Sequence, residues 1–255
     1  LMIFSAISAI LGFFFWIIAS KLYTPQDVGL ASAAISAMRL LALLGTLGLD
    51  YALIRFLPGS GKDSNAMINS SLTIGGFTAT ALAFVFIAGL DLWSPALGPV
   101  RQSCVFFATF IAPTTFLTVQ SLVERTFVAR RSAGFVLLTG IISMLIKLSL
   151  VALLAMFFTS FGIFAAWGIA QGAVVFIGIF LFLRRLKGGY TPAITVRGDL
   201  TRKMARFSSA NYIAALLWYA PWYILPLMVV NLAGTEANAY FYIAWAIGSL
   251  LFYIS

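Results

Sequence analysis

Two cationic side chains inside apolar segments are the residues of this chain best able to bind a ligand. Arg39 lies about ten residues into an apolar run, roughly 15 Å along a helix and near the middle of a bilayer. A charge at that depth costs about 2.5–3.5 kcal/mol, so Arg39 is expected to face protein or water and to bind an anion. Its alternative role is structural, with bonds to helix carbonyls. Lys147 lies at a similar depth in a later run, although its long stem can also extend toward an interface.

A later apolar run carries two further candidates, Asn211 and Trp218. Pro221 and Pro226 follow in the same run, and prolines inside a helix bend it. A bent helix with polar and aromatic side chains suits the wall of a cavity. Asn211 and Trp218 are therefore predicted to bind the substrate together with the two cations. The prolines could equally belong to a packing hinge.

Conventional catalytic chemistry lacks the residues that it needs. The sequence has no His and a single cysteine, Cys104, which excludes Cys/His metal sites, His-dependent triads and an intrachain disulfide. No glycine-rich phosphate loop and no Gly-Xaa-Ser-Xaa-Gly turn is present. We predict a protein that is not an enzyme and uses neither a cofactor nor a metal.

The elements that position these residues follow from composition. Hydrophobic residues make up 62% of the 255 residues and charged residues 9%, whereas about 25% of a soluble protein is charged. A membrane-spanning helix needs about 20 apolar residues, and continuous apolar runs do not fit the alternating strands of a barrel. We predict an all-α polytopic membrane protein with about eight transmembrane helices. Polar breaks place them at 2–20, 29–56, 67–90, 105–122, 134–158, 162–183, 207–230 and 237–254.

The basic residues fall mostly on one side of these eight segments. Of the 16 Lys and Arg residues, Lys21 and Arg101 fall on the other side, and Arg39 and Lys147 lie within spans. The positive-inside rule makes the basic side cytoplasmic and places the N-terminus inside. The net charge of +9 is then mainly topological, and no nucleic acid is predicted as a partner. The basic side collects Arg55, Lys62, Arg125, Arg130, Arg131, Arg184, Arg185, Lys187, Arg197, Arg202, Lys203 and Arg206.

A weak internal repeat suggests two lobes. Phe4-Ser5-Ala6 opens the first segment and Phe207-Ser208-Ser209 opens the seventh, and a short acidic turn follows in both copies. Parallel repeats with an even number of helices are a recurrent plan among transporters. We predict a six-helix lobe over 1–183, a basic cytoplasmic linker over 184–206, and the first two helices of a second, truncated lobe over 207–255.

Several motifs carry a resemblance to a known family. An outer turn with proline, an acid and glycine is followed by a Leu-rich helix, a Leu-Gly-Leu stretch and a basic residue. Together with Lys147-Leu148 and the basic linker, these motifs resemble the polysaccharide and lipid-linked oligosaccharide flippases of the multidrug/oligosaccharidyl-lipid/polysaccharide exporter superfamily. Members have two complete lobes around a central cavity, whereas this chain stops at the eighth segment. The motifs are Leu22-Tyr23-Thr24-Pro25-Gln26-Asp27-Val28-Gly29, Gly45-Thr46-Leu47-Gly48-Leu49 and Ala52-Leu53-Ile54-Arg55-Phe56.

The resemblance implies a flippase that moves a polyprenyl-diphosphate-linked saccharide across the cytoplasmic membrane for cell-surface polysaccharide biosynthesis, as in O-antigen export. Arg39 would then hold the diphosphate, for which a guanidinium fork is suited. The implied partners are the lipid-linked saccharide, membrane lipids, a polysaccharide polymerase and glycosyltransferases.

Two alternatives remain open, a cation-coupled multidrug exporter of the same superfamily and a non-catalytic membrane component of polysaccharide assembly. The exporter requires an intramembrane acid, and the sequence offers only Asp50, close to an interface, where it is expected to pair with Arg55 or with loop charges.

Overall fold

The computed structural model describes residues 2–158, 160–186 and 188–251, which form helices and no strand. Within these described residues, six helices are long and apolar enough to cross a membrane, so the prediction of an all-helical membrane protein is confirmed at that level. The predicted positions Thr159, Lys187 and 252–254 lie outside the described residues. The helices are α1 (Met2–Leu22), α2 (Pro25–Gly45), α3 (Leu49–Phe56), α4 (Ser64–Ala88), α5 (Leu90–Trp93), α6 (Pro99–Gln102), α7 (Cys104–Ala129), α8 (Ala133–Leu154), α9 (Ser160–Ile177), α10 (Leu183–Leu186), α11 (Gly198–Ala233) and α12 (Thr235–Leu251).

Most of the predicted spans correspond to these helices. The candidate spans are Pro25–Gly45, Gly61–Ala88, Cys104–Ala129, Ala133–Leu154, Phe161–Leu186 and Gly198–Ala233. At the first predicted segment, Leu11–Leu22 is a shorter apolar helix, and α12, with 17 residues, begins two residues before the eighth predicted segment. A π-helical turn over Gly178–Phe182 joins α9 to α10.

The basic loops meet at one end of the bundle, which we call the basic end. There the Arg130 guanidinium donates a hydrogen bond to Ser64 Oγ, and the Arg197 backbone N–H donates to Ser70 Oγ at 3.0 Å. The opposite end is closed by Asn231, whose amide donates to Ser94 Oγ at 2.9 Å. The loops are thus held by side-chain hydrogen bonds at both ends.

Helix α2 is the central helix of the bundle. Thr24 caps it by accepting a hydrogen bond from the Asp27 N–H at 3.2 Å, and Pro25 occupies the first turn. Residues 28–38 are all buried, and α2 contacts α4, α7, α9, α11 and α12. Most of those buried residues are Gly, Ala or Ser, and small side chains let helix backbones approach closely in a membrane.

The closest approach is between α2 and α12. A Cβ atom on Gly29 would lie 1.7 Å from the Thr235 carbonyl oxygen, so the position has room only for glycine. The Asn238 amide, buried in the same contact, donates to the Gly29 carbonyl at 2.8 Å and to Ser32 Oγ at 3.0 Å. Packing and hydrogen bonding therefore fix α12 against α2 at the same place.

The predicted segment 29–56 is two helices, because the backbone breaks between α2 and α3. Leu47 and Gly48 have φ values of +50° and +74°, in the left-handed region that favours glycine. A Cβ atom on Gly48 would lie 2.8 Å from Tyr212 Cβ. The Tyr212 hydroxyl donates to the Leu44 carbonyl at 2.8 Å, which satisfies a carbonyl at the break.

The linker is shorter than predicted, since α10 continues to Leu186 and α11 begins at Gly198. Its extended part lies along α4, where the Asn69 amide donates to the Thr191 carbonyl at 2.9 Å. The Tyr190 hydroxyl donates to Asn69 Oδ1 at 2.8 Å, and burial raises the pKa of Tyr190 to about 12. The phenol therefore remains a neutral donor at neutral pH, and the linker positions the start of α11.

Gly29→Ala tests the close approach of α2 and α12. We expect a loss of about 1–3 kcal/mol in unfolding free energy, because a backbone carbonyl cannot rotate away from the added methyl group. Gly134→Ala is the matched control, since a Cβ atom there meets nothing within 4 Å. Thermal unfolding of the detergent-solubilised protein measures both variants, and equal midpoints would show that the contact is not formed.

Candidate functional site

A polar cavity of about 260 Å³, which we call the Arg39 cavity, lies between α2, α3, α7 and α11. Four helices supply its polar lining, and α2 and α3 do so on both sides of the break at Gly48. The polar lining residues are Arg39, Thr46, Asp50, Tyr51, Ser121, Arg125, Tyr219 and Tyr223.

The charges that line this cavity are two guanidiniums and one carboxylate. Asp50 is buried, and its Oδ2 lies 4.0 Å from Arg125 Nε, at the limit of an ion pair. Asp50 therefore faces a cation of α7 rather than Arg55, which is exposed on α3. Within the described residues, neither Arg39 nor Arg125 donates a side-chain hydrogen bond, so donors of both guanidiniums remain for a bound anion.

Aromatic side chains form the α11 side of the cavity. Tyr219 and Tyr223 are four residues apart and therefore share one face of the helix. Tyr51 from α3 adds a third ring. A tyrosine offers an apolar ring face and a polar hydroxyl. The same chemistry suits a sugar ring, which has C–H groups on its faces and hydroxyls at its edge.

The two intramembrane cations predicted from the sequence lie against one ring. Arg39 Cζ is 5.1 Å from the centroid of the Trp167 ring, and Lys147 Nζ is 4.2 Å from it. Both distances are within the range of a cation–π contact, which is worth about 2 kcal/mol when desolvated. Trp167 and Lys147 are buried, and only Arg39 lines the cavity. Lys147 therefore lies behind the ring of Trp167 and does not itself line the cavity.

An intramembrane acid was missed in the sequence. The predicted fourth segment stops at 122, whereas α7 continues to Ala129 and includes Glu124. Glu124 lies within electrostatic range of Lys147 and accepts a hydrogen bond from the Gln120 amide at 2.8 Å. The structure therefore brings near Lys147 an acid that the sequence analysis did not name beside Asp50. Arg131, with φ of +58° just after α7, is where the chain turns.

Two other predicted binding residues do not line the cavity. Trp218 is 68% exposed and Asn211 is exposed. Both lie on α11, but at 100° per residue they are turned about 80–100° from Tyr219 and about 120–140° from Tyr223. The spacing of the two tyrosines was the signal that could have identified the lining face. Pro221 and Pro226 lie within the continuous helix α11.

Replacing Trp167 tests the ring between the cations. We expect Trp167→Leu to lower the unfolding free energy by about 1–2 kcal/mol more than Trp167→Phe, because phenylalanine keeps an aromatic face. The difference should shrink in a Lys147→Leu background. Trp218→Leu and Trp218→Phe form the exposed control pair and should not differ. An equal loss for both Trp167 variants would contradict the cation–π contacts; denaturant titration in detergent provides the measurement.

Within the described residues, no group of three or more Cys, Asp or Glu side chains could hold a metal ion.

Comparison with known proteins gives no family for this chain. No family model matches it, and neither a curated protein nor a solved structure matches it.

Proposed function

We propose that this protein is a flippase that translocates a polyprenyl-diphosphate-linked saccharide for cell-surface polysaccharide biosynthesis. The observation that carries this proposal is the opening of two guanidiniums, Arg39 and Arg125, into one cavity inside a bundle of membrane-spanning helices. Two cations beside one carboxylate favour an anionic ligand, and guanidiniums bind phosphate oxygens in a fork geometry.

The size of the Arg39 cavity supports binding of a headgroup rather than of a whole lipid. Its volume of about 260 Å³ lies below the range of roughly 300–1,000 Å³ that is usual for sites enclosing a complete small ligand. We propose that Arg39 and Arg125 hold the diphosphate. Tyr219 and Tyr223 would contact the first sugar.

An apolar groove offers a place for the lipid tail. It has a volume of about 570 Å³ and lies between α2, α4 and α11. Leu40 and Leu44 of α2 line it next to the α2 face of the Arg39 cavity, and Leu227 and Met228 line it beyond Tyr223 on α11. A ligand with an anionic head and an apolar tail matches this succession of polar and apolar walls.

We further propose eight spans in the cytoplasmic membrane with the basic end facing the cytoplasm, as the positive-inside rule requires. The cavity, lined by residues on both sides of the α2–α3 break, then lies toward the cytoplasmic half and can load from the inner leaflet. Residues 1–183 form the first lobe in this proposal, and α11 and α12 belong to a second lobe that alternates about the fixed contact of α12 with α2.

Arg39→Ala provides the central test. We expect at least a tenfold slower transfer, since a hydrogen bond to a charged group is worth about 1.5–3 kcal/mol. Arg39→Lys should be intermediate, because an ammonium lacks the fork. The assay uses proteoliposomes that contain undecaprenyl-diphosphate-N-acetylglucosamine, and an impermeant galactosyltransferase modifies the lipid that reaches the outer leaflet.

The matched control is Arg55→Ala, which removes an exposed cation outside the cavity and should transfer at the wild-type rate. Absence of transfer by the wild-type protein would contradict the proposed function. Normal transfer by Arg39→Ala would contradict the role of the cavity.

A second candidate function, a cation-coupled exporter, is favoured by Asp50 in the cavity and by Glu124 near Lys147. We expect no gradient-driven efflux of ethidium from proteoliposomes, because two guanidiniums against one carboxylate disfavour a cationic drug. Efflux by the wild-type protein that is abolished in Glu124→Gln and kept in Asp91→Asn would reverse this choice. Asp91 is the control because it is exposed, is paired with Arg101 at 2.8 Å and does not line the cavity.

A further inference from the structure

We propose that a second groove, at the basic end, binds the phosphate headgroup of an anionic phospholipid. The groove has a volume of about 620 Å³ and lies between the end of α3 and the start of α11. Its lining residues are Phe56, Asp199, Arg202, Lys203, Arg206 and Phe207. It shares none of its lining residues with the Arg39 cavity. The proposal is therefore independent of the flippase function.

The three cations of the groove are available to a ligand. Arg202, Lys203 and Arg206 are exposed, and in the described part of the chain none of them forms an ion pair. The acid in the lining, Asp199, is already engaged by Arg197, whose Nε and Nη2 donate to its carboxylate at 3.4 Å. The groove thus has an uncompensated positive charge that a phosphate can neutralise.

Helix geometry places these cations at the level of lipid headgroups. Helix α11 has 36 residues, so at 1.5 Å per residue it is about 54 Å long, whereas the hydrocarbon core is about 30 Å thick. The apolar run of α11 begins at Phe207. The preceding turns, with Arg202 and Arg206, therefore extend past the core into the headgroup layer.

The floor of the groove is aromatic, which favours a lipid over a free phosphate ion. The rings of Phe56 and Phe207 meet edge to face with centroids 5.1 Å apart, and Lys203 Nζ lies 5.5 Å from the Phe56 centroid. An apolar floor beneath cations matches the junction of a lipid headgroup and its glycerol backbone. A soluble anion would gain nothing from the rings.

A bound phospholipid would also connect α3 and α11, which both contribute residues to the Arg39 cavity. Asp50 and Tyr51 lie on α3, and Tyr219 and Tyr223 lie on α11, so the groove joins two of the four helices that line the Arg39 cavity. Anionic lipid in the groove would hold α11 against α3.

The experiment measures binding of fluorescent, short-chain phosphatidylglycerol to the detergent-solubilised full chain by anisotropy. We expect Arg202→Gln/Arg206→Gln to weaken binding by about fivefold for each cation removed. The control, Arg184→Gln/Arg185→Gln, removes the same charge from α10 outside the groove and should bind normally. Unlabelled phosphatidylglycerol should displace the probe, and phosphatidylcholine or inorganic phosphate at equal concentration should not.

Several results would overturn the proposal. Equal weakening by both double variants would show attraction by net charge alone. Displacement by inorganic phosphate as readily as by phosphatidylglycerol would show a phosphate site without lipid recognition, and displacement by phosphatidylcholine would show a site without charge selection. Phe56→Ala, which keeps all three cations, adds a second test: unchanged binding would contradict the role of the aromatic floor. None of these outcomes depends on transfer of a saccharide lipid.

Discussion

The close packing of α2 is the constraint on which the rest of the structure depends. A helix surrounded by five others in a membrane cannot rely on the hydrophobic effect, because lipid chains are as apolar as its side chains. Small residues instead allow the backbones of neighbouring helices to pack in direct contact. Gly29 lies against the Thr235 carbonyl, and the Asn238 amide donates a hydrogen bond to the Gly29 carbonyl at the same contact. The position of Arg39, ten residues further along α2, follows from this anchoring.

The second constraint is the energy of charge in an apolar environment. An isolated buried cation is costly, and the chain places two cations against Trp167, with Lys147 buried and Arg39 half-buried. The face of an aromatic ring attracts a cation, so Trp167 stabilises both of them. Glu124 attracts Lys147 electrostatically, whereas Arg39 repels it. Of the two cations, Arg39 alone lines the cavity.

Helix α11 connects the polar cavity, the apolar groove and the basic groove. Its turns supply Arg202 and Arg206 to the basic groove, then Tyr219 and Tyr223 to the polar cavity, then Leu227 to the apolar groove. The linker fixes the start of α11 by hydrogen bonds to α4, and the Tyr212 hydroxyl fixes it at the break in α2. Movement of this one helix would alter all three surfaces together, as the proposed alternation of lobes requires.

The sequence by itself determined the helical class, most of the apolar helices and the two cations within apolar runs. These features are local, since an apolar run of sufficient length or a charge within it carries the same energetic meaning in any fold. Tertiary structure alone decided that Asp50 faces Arg125 instead of Arg55, and that Arg39 and Lys147 share one ring.

The direction of the α11 side chains was also decided by tertiary structure. Tyr219 and Tyr223 face the cavity whereas Trp218 does not, because the rotation of a helix is set by its neighbours when nearly every position is apolar. Whether Glu124 lies within α7 was likewise decided by the residue at which that helix ends. Composition fixes which residues enter a membrane, but contacts between helices fix which of them meet.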